Sequence, residues 1–236
     1  MTVAKQSHEA HTLEYRDLHS LMSLMTGDEK HSFSATSTLD VVWVLYDRVL
    51  NVDPAAPDDP DRDRFLLSKG HGPMAYYAVL AAKGFVDVDL LSGFSGFSSP
   101  LGTHPDRMLI PGVEISSGSL GHGLPIAVGV ATALDATREG GPRVFCLVGD
   151  AEFDEGSNHE AVAYAGRAGL DRLTTIVIDN RSASYGWPGG IEKRFAVEGW
   201  STATIDGRDH DAIEQALTAP HQGRPHVVVA VVETKG

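Results

Sequence analysis

Two apolar runs, each closed by polar residues, constrain this chain more than anything else in it. Val144-Phe145-Cys146-Leu147-Val148 ends at Gly149-Asp150-Ala151, and Leu173-Thr174-Thr175-Ile176-Val177-Ile178 ends at Asp179-Asn180. A helix-like stretch, Ser157 to Ala168, lies between them. Such short, continuously apolar runs belong to strands buried on both faces, and a helix between two of them is the layout of a crossover joining parallel neighbours. Asp150 and Asn180 then lie side by side at the carboxyl ends of adjacent strands, where open α/β sheets bind ligands. A carboxylate and an amide oxygen converging there suit a hard divalent cation such as Mg²⁺, which bridges to phosphates. The strand-to-helix turn at Gly149 also offers backbone N–H groups to an anion. Asp150 would repel a diphosphate in that turn unless a cation lay between them, so the pair implies metal and phosphate together. Gly149-Asp150 alone would be no more than a capped turn; Asn180 is what raises it above that.

The rest of the chain alternates in the same manner. Leu13 to Met25 and Thr38 to Val49 carry apolar residues at helical spacing. Arg64 to Ser68 reads as a short strand, and Lys69-Gly70-His71-Gly72 opens a helix running to about Lys83. Leu120 to Arg138 is Ala/Val/Gly-rich and helical. A short helix over Glu192 to Val197, a strand near Ser201 to Ile205, a helix over Asp209 to Thr218 and an apolar strand from His226 to Val232 complete the pattern. Asp53 to Pro60 is too proline-rich for helix or central strand, and Leu91 to Pro105 is a Gly/Ser/Phe-rich loop. Alternating strands and helices predict an α/β fold, a doubly wound, mostly parallel sheet flanked by helices. Residues 1–30 are expected to form an arm and helix, and 31–236 a single domain.

Composition narrows the partners. A net charge of −13 argues against nucleic acid, whose phosphates need basic surface. No segment approaches about 18 uncharged apolar residues, so no membrane span is expected, and the N-terminus lacks a secretory h-region. Cys146, the sole cysteine, rules out an internal disulfide and fits a reducing cytoplasm.

With these residues in view, the chain resembles the thiamine diphosphate (ThDP) enzymes. Their diphosphate signature, Gly-Asp-Gly followed about 30 residues later by Asn, is similar to Gly149-Asp150-Ala151 … Asn180 here. Four further stretches resemble the transketolases in particular: Leu67 to Gly72, Thr103-His104-Pro105, Pro111 to Gly121, and Gly149 to Glu160. The likeness runs from about His31 to Gly236. It implies the ThDP diphosphate-binding (PP-type) domain fold and transfer of a two-carbon ketol unit from a ketose or 2-oxo donor to an aldehyde.

The resemblance also implies roles. Asp150 and Asn180 would ligate Mg²⁺ or Ca²⁺, with the backbone carbonyl of Ser182 as the third protein ligand. His71 would lie near the diphosphate, in the cradle formed with Gly149 and Ala151, and the backbones of Gly118 and Leu120 would meet the aminopyrimidine ring. His31 and His104 would face the substrate channel and move protons, and Glu155 would join an acidic relay between paired sites. Transketolases continue into a pyrimidine-binding domain that supplies an activating glutamate, so this chain is expected to be one subunit of a split enzyme. Its partner would be a separate pyrimidine-binding and C-terminal subunit, in an α2β2 assembly. Several positions depart from the family: Ala151 replaces a glycine, tolerable where φ is negative; Lys30 to Ala35 lacks the usual Gly-His-Pro-Gly character; His122 stands where Gln is usual; and Arg181 and Tyr185 to Gly190 replace the usual stretch after the Asn. Two other readings follow from the same residues, the α-type subunit of a 2-oxoacid decarboxylating enzyme and a non-catalytic regulatory subunit that has lost the cofactor.

Overall fold

A computed structural model of the chain describes residues 13–25, 36–137 and 141–234. Five strands form one sheet: β1 (Arg64–Leu67), β2 (Val144–Gly149), β3 (Leu173–Asp179), β4 (Ser201–Asp206) and β5 (His226–Val231). Their order across the sheet is β1-β2-β3-β5-β4, and all four pairings are parallel. Seven α-helices accompany them among the described residues: α1 (Leu18–Leu24), α2 (Leu39–Val44), α3 (Met74–Ala82), α4 (Gly123–Thr137), α5 (Gly156–Ala168), α6 (Ile191–Val197) and α7 (His210–Leu217). A π-turn, Leu45–Val49, extends α2, which accounts for the longer helix expected from the periodicity.

Two-residue alternation sorts the strands' side chains to opposite faces. Phe145, Leu147, Ile176, Ile178, Val228 and Ala230 pack with α1, α2, α3 and α7. Cys146, Val148, Val177, Val227 and Val229 pack with α4, α5 and α6. Helices on both faces of an all-parallel sheet make the fold doubly wound, as the alternation predicted. Every residue of β2 is buried, whereas β4, at the edge, alternates between half-buried and exposed positions.

The crossovers determine what lies next to what. From β2 the chain crosses by α5 to β3, then by α6 to the outer place taken by β4. It returns by α7 on the other face to insert β5 between them. The register pairs Gly149 of β2 with Ile178 of β3, so the residues leaving these two strands emerge together. Two helices begin later than the sequence suggested. Pro73 caps α3, and α4 starts at Gly123 because Gly118 and Gly121 before it take φ of +124° and +79°.

Candidate active site

At the carboxyl end of β2 the chain enters a short 3-10 turn, Asp150–Asp154, before α5. Asp150 is 1% exposed and Asn180, just past β3, is 2% exposed. The Asp150 carboxylate gathers the loop that follows β3. Its Oδ2 accepts from the N–H groups of Ser182 (2.6 Å) and Ala183 (3.2 Å), and its Oδ1 from the Ser182 hydroxyl (2.5 Å) and the Ala151 N–H (2.9 Å). Arg181 turns this corner with φ +56°, a left-handed conformation uncommon for a side-chain-bearing residue and more often found at functional turns. The Asn180 side-chain oxygen is fully buried and has no hydrogen-bond partner in the structure. An orphaned buried carbonyl oxygen at the end of a strand adjacent to one that ends in a buried carboxylate is what a hard cation would satisfy. Among the described residues no group of three or more His, Cys, Asp or Glu forms a metal cluster, so any cation here would rely on mixed carboxylate, amide and backbone oxygens.

Ala151 takes a negative φ, since among the described residues only Ser95 and Arg181 are non-glycine positions with positive φ. The methyl group therefore imposes no left-handed strain at the signature's second glycine.

The second half of the site lies across the ends of β1 and β2. The His71 ring, on an exposed residue, sits 6.3 Å from that of His104, which is half-buried. Gly118 lies directly against His104: a Cβ there would meet the ring's Cδ2 at 2.8 Å, and φ of +124° disfavours any other residue. Gly118 and Leu120 are exposed, Leu120 to 46%. Glu155, also exposed, has its side-chain stem against Gly121, and the Lys69 stem lies over Gly149. The structure thus brings His71, His104, Gly118, Leu120, Glu155, Gly149, Asp150, Ala151, Asn180 and Ser182 to one end of the sheet. His31 lies outside the described residues.

Two acids escaped the sequence reading. Glu152, 1% exposed, accepts from the Gly149 N–H (3.0 Å), the Gly121 N–H (3.1 Å) and the Ser68 hydroxyl (2.6 Å). Burial pushes its carboxyl above the usual range, and these donors pull back the other way. Asp154 accepts from the N–H groups of Ser184 (2.8 Å) and Tyr185 (3.3 Å) and so holds the stretch after Ser182. A glutamate three residues after a helix-start glycine is half of a capping box, the one signal that could have singled out Glu152. Cys146 is fully buried in β2 and burial holds its thiol well above the ordinary value, so it is packing, not chemistry.

Residues 16–234 match the family model described as "Transketolase, thiamine diphosphate binding domain". The chain belongs to the transketolase family. Within it, the chain is the part that binds thiamine diphosphate in these transferases. It is 63% identical over 218 residues to "Ferredoxin fas2" of Rhodococcoides fascians, spanning 92% of this chain and 72% of that one. Iron–sulfur clusters are held by several thiolates, and the one cysteine of this transketolase-family chain, buried mid-strand, is no such set. It is 37% identical over 214 residues to an apulose-4-phosphate transketolase subunit of Actinobacillus succinogenes, spanning 87% of this chain and 76% of that one. Transketolase from Leishmania mexicana superposes with a TM-score of 0.76 at 25% identity, over 94% of this chain but 37% of the other. No described helix is long and apolar enough to cross a membrane.

Proposed function

We propose that this chain is the diphosphate- and metal-binding subunit of a two-component transketolase-type enzyme, with Mg²⁺ or Ca²⁺ beside the cofactor. The observation that carries the metal is the buried Asn180 oxygen left without a partner, at the end of the strand adjacent to the one that Asp150 follows. Asp150, Asn180 and the Ser182 backbone carbonyl would hold the cation, whose charge offsets that of the diphosphate in the Gly149–Ala151 turn. When bound, thiamine diphosphate supplies the reactive centre for breaking and making the C–C bond; the protein supplies binding, orientation and proton transfer.

His71, exposed, and His104, half-buried, with their rings 6.3 Å apart, would bind phosphate and substrate oxygens and move protons, and His31 would share the substrate-facing role. Gly118 and Leu120, both exposed residues, would meet the cofactor's ring through their backbones, and Glu155 would reach toward a neighbouring site. The apulose-4-phosphate relative is named as one subunit of a transketolase and is matched over 76% of its length. That supports a partner subunit, which in this proposal supplies the pyrimidine-binding and C-terminal parts in an α2β2 assembly. The transfer proposed is of a two-carbon ketol unit from a ketose or 2-oxo donor to an aldehyde.

Calorimetry of the reconstituted pair with ThDP and Mg²⁺ tests this. Saturable binding that Asp150→Ala abolishes is the expected result. Absence of binding, or binding indifferent to Asp150→Ala, would overturn it, and release of CO₂ from a 2-oxoacid without ketol transfer would replace the transferase reading with a decarboxylase.

A further inference from the structure

We infer that Glu152 is a positioning residue of the site, a group to which all three cofactor-facing segments are tied. The inference rests on the reading of the site above only in naming what those segments bind. Ser68 immediately precedes the Lys69–His71 turn, Gly121 immediately follows Gly118–Leu120, and Gly149 immediately precedes Asp150. One carboxylate collects a donor from each, with Gly149 on Oε1 and both Ser68 and Gly121 on Oε2. The Ser68 hydroxyl in turn accepts from the Gly123 N–H (3.1 Å), which extends the tie to the first residue of α4.

The glutamate is itself held in place. Its backbone carbonyl accepts from the Asn158 side chain (2.8 Å) of α5, and Asn158 is fully buried. Sequence separations of 84 and 31 residues make these links tertiary, so no local turn preference would produce them.

The chemistry demands a carboxylate. All three partners are donors, and a carboxylate is acceptor-only, whereas glutamine carries a donor on one of its two positions. Whichever way a glutamine amide is turned, its NH₂ faces the Gly149 N–H or the Gly121 N–H, and one buried N–H loses its acceptor. Glu152→Gln therefore keeps the volume and removes the tie, which separates positioning from packing.

Hydrogen exchange on the cofactor-free chain reads the tie directly. In Glu152→Gln the Gly121 and Gly149 amides should exchange about tenfold faster or more, with the strand amides of β3 and β5 unchanged. ThDP calorimetry on the chain with its partner, at saturating Mg²⁺, should show a Kd raised about tenfold or more. Asp63→Asn, which loosens an equally buried carboxylate at the amino end of the sheet, serves as the control and should leave that Kd unchanged well below its melting midpoint. Unchanged exchange at Gly121 and Gly149, or a ThDP Kd no more affected than in the control, overturns the inference. Failure of the unsubstituted protein to bind ThDP would overturn the reading of the site, and the exchange rates would then decide the role of Glu152 by themselves.

Discussion

Ser182→Ala should tighten cation binding at Asp150, and the reason lies in a count of lone pairs. A carboxylate offers about four acceptor sites, and four donors occupy those of Asp150: the N–H groups of Ala151, Ser182 and Ala183, and the Ser182 hydroxyl. A cation approaching this carboxylate must take the place of one of them. Only the hydroxyl can leave by rotation of a side chain, without moving backbone. A hydrogen bond to a charged group contributes about 1.5–3 kcal/mol, and the half-buried position of Ser182 puts this one near the lower figure. Removing it should therefore lower the stability of the cation-free chain by about 1.5 kcal/mol and raise Mg²⁺ affinity by up to about tenfold.

The opposing effect is loss of orientation, since partners that hold a metal ligand commonly contribute 10- to 100-fold in affinity. Here three backbone N–H groups still fix the carboxylate after the hydroxyl is gone, so competition should outweigh orientation. The substitution also keeps the Ser182 carbonyl proposed as a ligand. Mg²⁺ titration calorimetry at fixed excess ThDP, paired with a melt in chelator, measures both numbers. A tenfold or greater weakening of Mg²⁺ binding in Ser182→Ala would refute the competition argument.

Other parts of the molecule yield tests of their own. Asp63, 4% exposed, accepts from the Asn51 N–H and from both the backbone and guanidinium of Arg143. Asp63→Ala should cost about 3 kcal/mol, the low end for a buried ion pair because the Arg143 side chain is 42% exposed; a shift in urea midpoint equivalent to under 1 kcal/mol would contradict this. A Cβ on Gly166 in α5 would lie 1.8 Å from the Glu198 carbonyl oxygen, a backbone atom that cannot step aside. Gly166→Ala should destabilise by about 1–3 kcal/mol, whereas Gly129→Ala in α4, with open space around it, should stabilise by about 0.5–1 kcal/mol; melts of equal midpoint for the two would defeat the contrast. His226 is buried at the start of β5, and burial, then its neighbour His221, hold its imidazole below the ordinary range. The native state then binds fewer protons than the unfolded chain below about pH 6.5. Stability should fall as pH drops from there toward the lowered native value, by at most about 1.4 kcal/mol per pH unit. Denaturation of His226→Gln between pH 7 and 5 should show a shallower slope, and an unchanged slope would assign the effect elsewhere.

Much of the scaffold was legible because it is written in local pattern. The run Val144–Val148 is apolar at every position, since β2 is buried on both faces, and such a run admits few other structures. The place of Asp150 and Asn180 followed from it, because strand ends are set by where the run stops and adjacency by the length of the crossover. Helix starts were less legible. Leu120 belongs to the helical pattern by composition, yet the backbone signs at Gly118 and Gly121 delay α4 to Gly123, and a glycine's φ is set by what packs around it. The insertion of β5 between β3 and β4 left no trace in the pattern either, since an interior strand looks the same whichever neighbours it has.

What the sequence concealed most completely was how the two halves of the site are joined. The Gly149 turn and the Gly118–Leu120 turn read as separate motifs, each with its own likeness to the family. Their union depends on Glu152, which in the sequence is one acid among 32, two residues past a far more conspicuous aspartate. Its role comes from burial, and burial is a property of the assembled sheet. With water excluded, a carboxylate has to take its hydrogen bonds from protein, and the three donors it takes belong to three different segments. The same exclusion of water acts on Asn180 with the opposite result: its oxygen is buried and unpartnered. One buried acceptor is saturated by the chain and holds the loops; the other has no hydrogen-bond partner, and the proposed cation would satisfy it. That contrast separates the positioning residue from the proposed ligand, and it predicts different losses. Asn180→Leu should remove cation binding with little cost to the cation-free fold, whereas Glu152→Gln should loosen the fold of the loops before any cation is added. Chelator melts of the two variants that ranked the other way would reverse the assignment.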